Sequence, residues 1–126
     1  MSVVLDASAV LAFLQQEIGW ERVHKSISGA KISSVNASEV LLKLYDAGMS
    51  ENDALGVFAA MDCSVSVFST HQANLCAKLR KQTRHLGLSL GDRACIALAI
   101  DAGSKVLTAD KAWGRLELDV EIEVIR

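Results

Sequence analysis

Proline is absent from this chain of 126 residues, and so are low-complexity tracts and internal repeats. Nothing reads as a linker, so one domain over residues 1–126 is expected. No uninterrupted apolar run approaches the roughly 18 residues that a membrane-spanning helix needs. The cysteines Cys63, Cys76 and Cys95 form no CxxC pair, and three cannot all pair internally. They read as reduced thiols acting as small apolar side chains. His24, His71 and His85 show no i, i+4 pairing, so a zinc site of the usual spacing is not indicated. Met1 to Leu14 is apolar but carries Asp6 and no basic leader, so no signal peptide is expected and the chain should work in the cytoplasm. An excess of positive charge is also lacking. With 13 basic against 15 acidic residues the formal charge is −2, which looks wrong for a protein that binds nucleic acid.

What is present is apolar: 51% of the residues, with a mean hydropathy of +0.28. That marks a folded, core-rich chain. Val3 to Leu5 reads as a short buried strand, and Ala7 to about Glu17 as a helix on the spacing of Val10, Phe13, Leu14 and Glu17. A helix over about Trp20 to Ile27 precedes a strand at Lys31 to Ser34. Asn36 to Ala47 reads as a helix closed by Gly48, and Ser50 with Asp53 resembles a capping box opening a helix to about Met61. Val65 to Phe68 reads as a strand, and Ser69 caps one long helix to about His85. Gly91 to Ala102 is a helix that is apolar nearly all round and hence buried. Strands at Lys105 to Thr108 and Ile122 to Ile125 complete the chain. Short apolar strands alternating with helices predict an α/β fold with a mostly parallel central sheet between helical layers.

Four acids are then placed suggestively. Asp6 ends the run Val3-Val4-Leu5, and Asp110 follows Val106-Leu107-Thr108. Asp92 opens the apolar helix, and Glu39 falls in the first turn of another. In an open parallel sheet, strand ends and the starts of the following helices share one edge, where ligands bind. Each acid has an ordinary explanation. Asp6 and Asp92 suit helix N-termini, Glu39 can close a capping box with Asn36, and Asp110 can be a turn residue before Lys111. Caps explain each acid separately but not four at one edge. Two like charges about 4 Å apart cost about 4 kcal/mol at an effective dielectric near 20, while a cap returns only about 1 kcal/mol. A divalent cation among them would relieve the crowding, and carboxylate oxygens favour Mg²⁺ or Mn²⁺ over zinc. Setting the four aside leaves the 13 basic residues against 11 of the 15 acidic ones, a balance that permits a polyanionic substrate without arguing for one.

The run Val4-Leu5-Asp6-Ala7-Ser8-Ala9-Val10-Leu11-Ala12 resembles the opening of a PIN domain. Ser38-Glu39-Val40, Gly91-Asp92-Arg93-Ala94 and Leu107-Thr108-Ala109-Asp110 resemble its later acidic motifs, in order and at similar spacing. At this length the resemblance is to VapC-type ribonuclease toxins of prokaryotic toxin–antitoxin pairs. It implies a compact single-domain α/β/α sandwich and a Mg²⁺- or Mn²⁺-dependent endoribonuclease leaving a 5′-phosphate and a 3′-hydroxyl. The acidic quartet would be Asp6, Glu39, Asp92 and Asp110, with Ser8 and Thr108 at the family's hydroxyl positions. It also implies a homodimer silenced by a cognate antitoxin. The lack of proline departs from many relatives, which carry it in loops.

On that reading the three aspartates would hold the metal, and Glu39 would bind it directly or through water. Glu39 or Asp110 is the carboxylate to orient or deprotonate the attacking water. For gripping RNA, Lys78, Arg80, Lys81, Arg84 and His85 cover one arc of the helix after Ser69, opposite Leu75, Cys76, Leu79, Thr83 and Leu86. That arc is either a solvated face or a strip of phosphate contacts. Arg93, beside Asp92, is positioned for a scissile phosphate or for a neighbouring acid. Trp20 and Trp113 suit base stacking, with core or dimer packing the favoured role. Rival readings are weaker. A haloacid-dehalogenase-like phosphatase needs an acid where Ser8 stands, and a phosphoacceptor receiver domain needs an acidic pair and a central Asp that are missing. The non-enzymatic alternative is a PIN-like protein-interaction module.

Overall fold

The computed structural model describes residues 2–126. Five short strands form one sheet: β1 (Val3–Leu5), β2 (Lys31–Ser33), β3 (Ser64–Ser66), β4 (Lys105–Thr108) and β5 (Ile122–Val124). Their order is β3-β2-β1-β4-β5, and every neighbouring pair is parallel, Leu5 standing opposite Leu107 in the central pair. The sheet is thus wholly parallel rather than mostly so. Helices α1 (Ala7–Gln15), α2 (Trp20–His24), α3 (Ser34–Asp46) and α4 (Glu51–Ala60) serve one core. Helices α5 (Thr70–Lys78) and α7 (Leu90–Ala102), with the short α6 (Arg80–Thr83) between them, serve the other.

The pleat explains the two cores. Val3, Leu5, Ile32 and Leu107 pack under α1 to α4, whereas Val4 and Val106 pack under α5 and α7. With both faces covered, the central strands must be apolar throughout, and Val3 to Leu5 is buried at every position. Seven residues of α7 are buried, and its small side chains Ala94, Ala97 and Ala99 let the helix lie close on the sheet.

Several boundaries move for identifiable reasons. Ser33 ends β2 and also caps α3, its hydroxyl accepting from Val35 N at 3.2 Å. The helix therefore starts at Ser34, ahead of Asn36, and Glu39 lies in its second turn rather than its first. β3 pairs only with the three residues of β2, so it spans Ser64–Ser66 and stops before Phe68. The expected long helix to His85 is instead α5, α6 and a 3₁₀ turn at Arg84–Leu86. Within it the buried Thr83 hydroxyl donates to Leu79 O at 2.8 Å, a back-bond that bends helices. α1 stops at Gln15 and α2 at His24, both earlier than expected. No helix among the described residues is long and apolar enough to cross a membrane.

Candidate active site

Strand direction assembles the acidic edge. Asp6 follows β1 directly, and Asp110 lies two residues beyond β4, so both stand at the carboxyl ends of adjacent strands. α7 feeds into β4 from its own C-terminus, which sends its N-terminus, with Asp92, back toward that edge. α3 begins at the carboxyl end of β2 and touches α7 there, for the Asn36 side chain donates to Gly91 O at 3.0 Å.

Asp6 is 3% exposed and N-caps α1, accepting from Ala9 N at 2.8 Å. The Ser8 hydroxyl lies 2.8 and 2.9 Å from its two oxygens. The buried Thr108 hydroxyl donates to Asp6 Oδ2 at 2.5 Å and accepts from Asp110 N at 3.1 Å. Ser8 in turn accepts from Ala109 N at 2.9 Å. Two hydroxyls thus bind the end of β1 to the loop after β4. Burial pushes the Asp6 carboxyl from 3.8 up to about 6, against the pull of the Thr108, Ala9 and Ser8 hydrogen bonds, and the nearby Asp92 charge adds to the rise.

The other acids are also held by their own neighbourhoods. Asp92 completes a capping box, accepting from Ser89 N at 3.0 Å while its own amide donates to the Ser89 hydroxyl at 3.2 Å. Asp110 caps the 3₁₀ turn at Lys111–Arg115 through Ala112 N at 2.9 Å. Glu39 accepts from the Asn36 amide at 2.8 Å. Asn36 lies inside α3, so this is a bond within the helix and across to α7, and not the capping box expected of the pair.

Glu39 lies against Gly91, the residue before Asp92, and the charges of Asp6, Glu39 and Asp92 all bear on one buried group. Cys95 is wholly buried one turn below Asp92. Its thiol is pushed well above its usual range, first by burial and then by the charges of Asp6, Asp92 and Glu39. Asp110 contributes no such influence and faces solvent. Among the described residues no three acidic, histidine or cysteine side chains stand close enough together to hold a metal as they are. The set still suits a hard cation, being all carboxylate oxygen, and none of the four acids takes part in an ion pair among the described residues. A cavity of about 690 Å³ lies at the opposite edge, lined in part by Val3, Ile100, Lys105, Leu118 and Val120, and it contains none of the four.

A PIN domain family model matches residues 3–118. The chain belongs to the PIN-domain family. No curated protein matches it by sequence. Solved structures resemble this PIN domain over nearly its whole length. One belongs to a toxin–antitoxin complex from Klebsiella pneumoniae (TM-score 0.80, 14% identity, 99% of this chain and 98% of that one). Another is from VapBC2 of Rickettsia felis bound to a DNA fragment from their promoter (0.75, 18%, 100% of both chains). A third is VapC20 of Mycobacterium tuberculosis, a sarcin–ricin loop cleaving toxin (0.70, 14%, 95% and 99%). At these identities the likeness speaks for the fold.

The basic side chains divide. Lys78, Arg80, Lys81 and Arg84 are exposed along α5, α6 and the turn after it, while Cys76, Leu79 and Thr83 are buried opposite them. Arg93 is turned away from the acids: its Nη1 donates to Cys76 O at 3.1 Å near the C-terminus of α5, and its Nε is buried without a partner. Trp113 is a core residue, 1% exposed, and Trp20 is half-buried against His24, ring centres 5.9 Å apart. The sequence paired Asn36 with Glu39, but as a capping box, and gave no sign of the Asn36 bond to α7 or of a role for Gly91 beyond opening a helix. The available signals were the i, i+3 spacing of Asn36 and Glu39 and a glycine inside the first turn of a buried helix.

Proposed function

We propose that this PIN domain is a metal-dependent endoribonuclease, the VapC-type toxin of a toxin–antitoxin pair, hydrolysing RNA phosphodiester bonds in the cytoplasm. The observation that supports the reading is the carboxyl edge itself: Asp6 is buried at the end of β1, Glu39 lies against Gly91 beside Asp92, and among the described residues no cation pairs with any of them. Asp6, Asp92 and Asp110 would hold Mg²⁺, or Mn²⁺ in its place, with Glu39 binding directly or through water. A metal bound there lowers the pKa of a coordinated water and neutralises charge on the attacked phosphate.

The protein's own share follows from its hydrogen bonds. Asp6 is locked in one orientation by Ser8, Thr108 and Ala9 N, so a fixed negative charge is ready before substrate arrives. Glu39 has only Oε1 engaged, by Asn36, which leaves Oε2 to orient or deprotonate a water. The exposed Lys78, Arg80, Lys81 and Arg84 would meet RNA phosphates, giving binding that weakens as salt rises. Arg93 joins them only if its guanidinium leaves Cys76 O.

A protein partner is part of the proposal. Leu42, Tyr45, Met49 and Leu55 on and beside α3 and α4 are exposed apolar side chains, a surface suited to a cognate antitoxin or a second copy in a homodimer. The similar structures from Klebsiella and Rickettsia are themselves complexes. The second reading, a PIN-like module that binds a partner and cleaves nothing, is favoured by one observation: no trio of ligands is preformed among the described residues.

One assay separates the two. Purified, antitoxin-free protein should cleave RNA with Mg²⁺ or Mn²⁺, leave 5′-phosphate ends, and do nothing in EDTA. Asp6→Asn and Asp92→Asn should abolish cleavage without unfolding the protein. Cleavage retained in rigorously purified Asp6→Asn protein, or unaffected by EDTA, defeats the nuclease site described here. A wild-type protein inert with both metals supports the interaction module.

A further inference from the structure

Glu39 differs from the other acids in being held where two helices touch. Its carboxylate accepts from Asn36 Nδ2 at 2.8 Å, and the same amide donates to Gly91 O on α7 at 3.0 Å. A methyl group at position 91 would stand 2.5 and 2.6 Å from the two Glu39 oxygens and 2.7 Å from the carbon between them. The carboxylate therefore lies against the bare Cα of Gly91. Backbone geometry does not demand glycine there, because Gly91 lies within α7 and is not among the glycines with positive φ. What a side chain there would displace is the Glu39 carboxylate itself, whose three atoms are the nearest neighbours. Gly56, also inside a helix, makes the contrast: a methyl group there would meet nothing within 4 Å.

Asn36 is 1% exposed, with both amide hydrogens committed to oxygen acceptors and Oδ1 buried without a donor. That fixes which way the amide points, since the flipped form would set its oxygen against two acceptors. An unpaired buried carbonyl is a standing loss of stability, and such lapses are expected where function constrains the residue.

We propose that Asn36 and Gly91 are a positioning pair for Glu39. Gly91 opens the space that lets the carboxylate reach α7, and Asn36 pins Oε1 there while tying α3 to α7. The proposal rests on the nuclease reading, in which Glu39 acts on the metal or its water. Neither residue touches substrate; both act through Glu39.

The test is Mn²⁺ binding to metal-free protein, followed by titration calorimetry or electron paramagnetic resonance, alongside kcat and KM for RNA. Losing a positioning contact typically weakens metal binding about ten- to a hundred-fold, so Gly91→Ala and Asn36→Ala should each do so and lower kcat with little change in KM. Gly56→Ala should change neither. In a Glu39→Gln background, Gly91→Ala and Asn36→Ala should add nothing further. A readout independent of metal is the Asn36 side-chain amide in the NMR spectrum. Its slow exchange with solvent should be lost in Gly91→Ala protein whose circular dichroism is unchanged. Wild-type Mn²⁺ affinity in Gly91→Ala, or an undiminished effect of Gly91→Ala in the Glu39→Gln background, overturns the positioning pair alone. Wild-type protein that binds no Mn²⁺ overturns the nuclease reading, and the pair's role with it.

Discussion

Two groups of charged residues in this molecule are held in opposite ways. On β4 and β5, Glu123 receives Arg22 at 2.7 and 3.1 Å and Lys105 at 2.8 Å, and Lys105 also reaches Glu121 at 3.5 Å. Each charge has an opposite charge beside it, and the Glu123 carboxyl is lowered, first by the hydrogen bonds from Arg22 and Lys105. At the carboxyl edge, Asp6 is held only by two hydroxyls and an amide, and burial raises it to about 6. The first arrangement is complete within the protein. The second lacks a positive charge, and a fold that keeps a buried acid in that state is storing electrostatic tension of the kind found at functional sites.

The sharpest way to break this contrast is to make the same chemical change in both places. In metal-free protein, Asp6→Asn should stabilise the fold. A carboxyl raised from 3.8 to about 6 carries a penalty of about 3 kcal/mol once ionised. The sign follows from linkage. The folded state holds the proton more tightly than the unfolded state, so this group's contribution is whole below about pH 4 and is lost as pH rises through about 6. Urea denaturation in EDTA should show wild type falling in stability across that window while Asp6→Asn stays flat. At pH 7.5 the variant should be the more stable of the two. If Asp6→Asn is the weaker protein at pH 7.5, the acidic edge is no more strained than the ion-paired cluster.

Thr108→Val asks whether hydroxyls really take the place of cations at this edge. Thr108 is 0% exposed, and its hydroxyl serves Asp6 and Asp110 N together. Valine keeps the shape and removes both bonds, one of them to a charged group, so the cost should be about 1.5–3 kcal/mol at neutral pH. It should shrink in acid, where Asp6 is protonated. An equal cost at pH 4 and pH 7.5 would mean that Thr108 serves packing and the backbone, and not the Asp6 charge.

How much of this could be read from the chain depends on whether the decisive contact is local. Lys105 to Thr108 is the strand expected, because its last three residues are buried and the pair Val106-Leu107 faces both cores, which leaves a clear apolar signal. Asp6, Ser50 and Ser69 cap helices as expected, and Asp92 stands in the first turn of α7 as expected, although the cap there is Ser89, which the sequence reading did not single out. The placement of acids after strands followed from parallel topology alone. What escaped was tertiary. Asn36 looked like a cap because nothing near it in sequence shows that Ser33 already serves α3, and its partner Gly91 lies 55 residues away. The break between α5 and α6 has no proline or glycine to announce it. The setting of Asp6 is likewise built from both ends of the chain: burial and the Asp92 charge raise its carboxyl, while hydrogen bonds from Ser8 and Thr108 pull it back.

The smallest effect belongs to the paired cluster, and its sign is what matters. Glu123→Gln removes the charge from a carboxylate whose pKa is held below its ordinary 4.5 by Arg22 and Lys105. Side chains here are about a third exposed (30% for Arg22 and Lys105, 33% for Glu123), so solvent screens much of the attraction and the loss should be about 0.2–1 kcal/mol. Because the folded pKa is depressed, the stabilisation is present above about pH 4.5 and is lost as pH falls through the lower folded value. The difference between wild type and Glu123→Gln should therefore close in acid and narrow in high salt. Asp6→Asn and Glu123→Gln are both losses of one negative charge to an amide, yet they should move neutral-pH stability in opposite directions. Two shifts of the same sign would show that net charge governs both places, and the acidic edge would then lose its claim to be waiting for a cation.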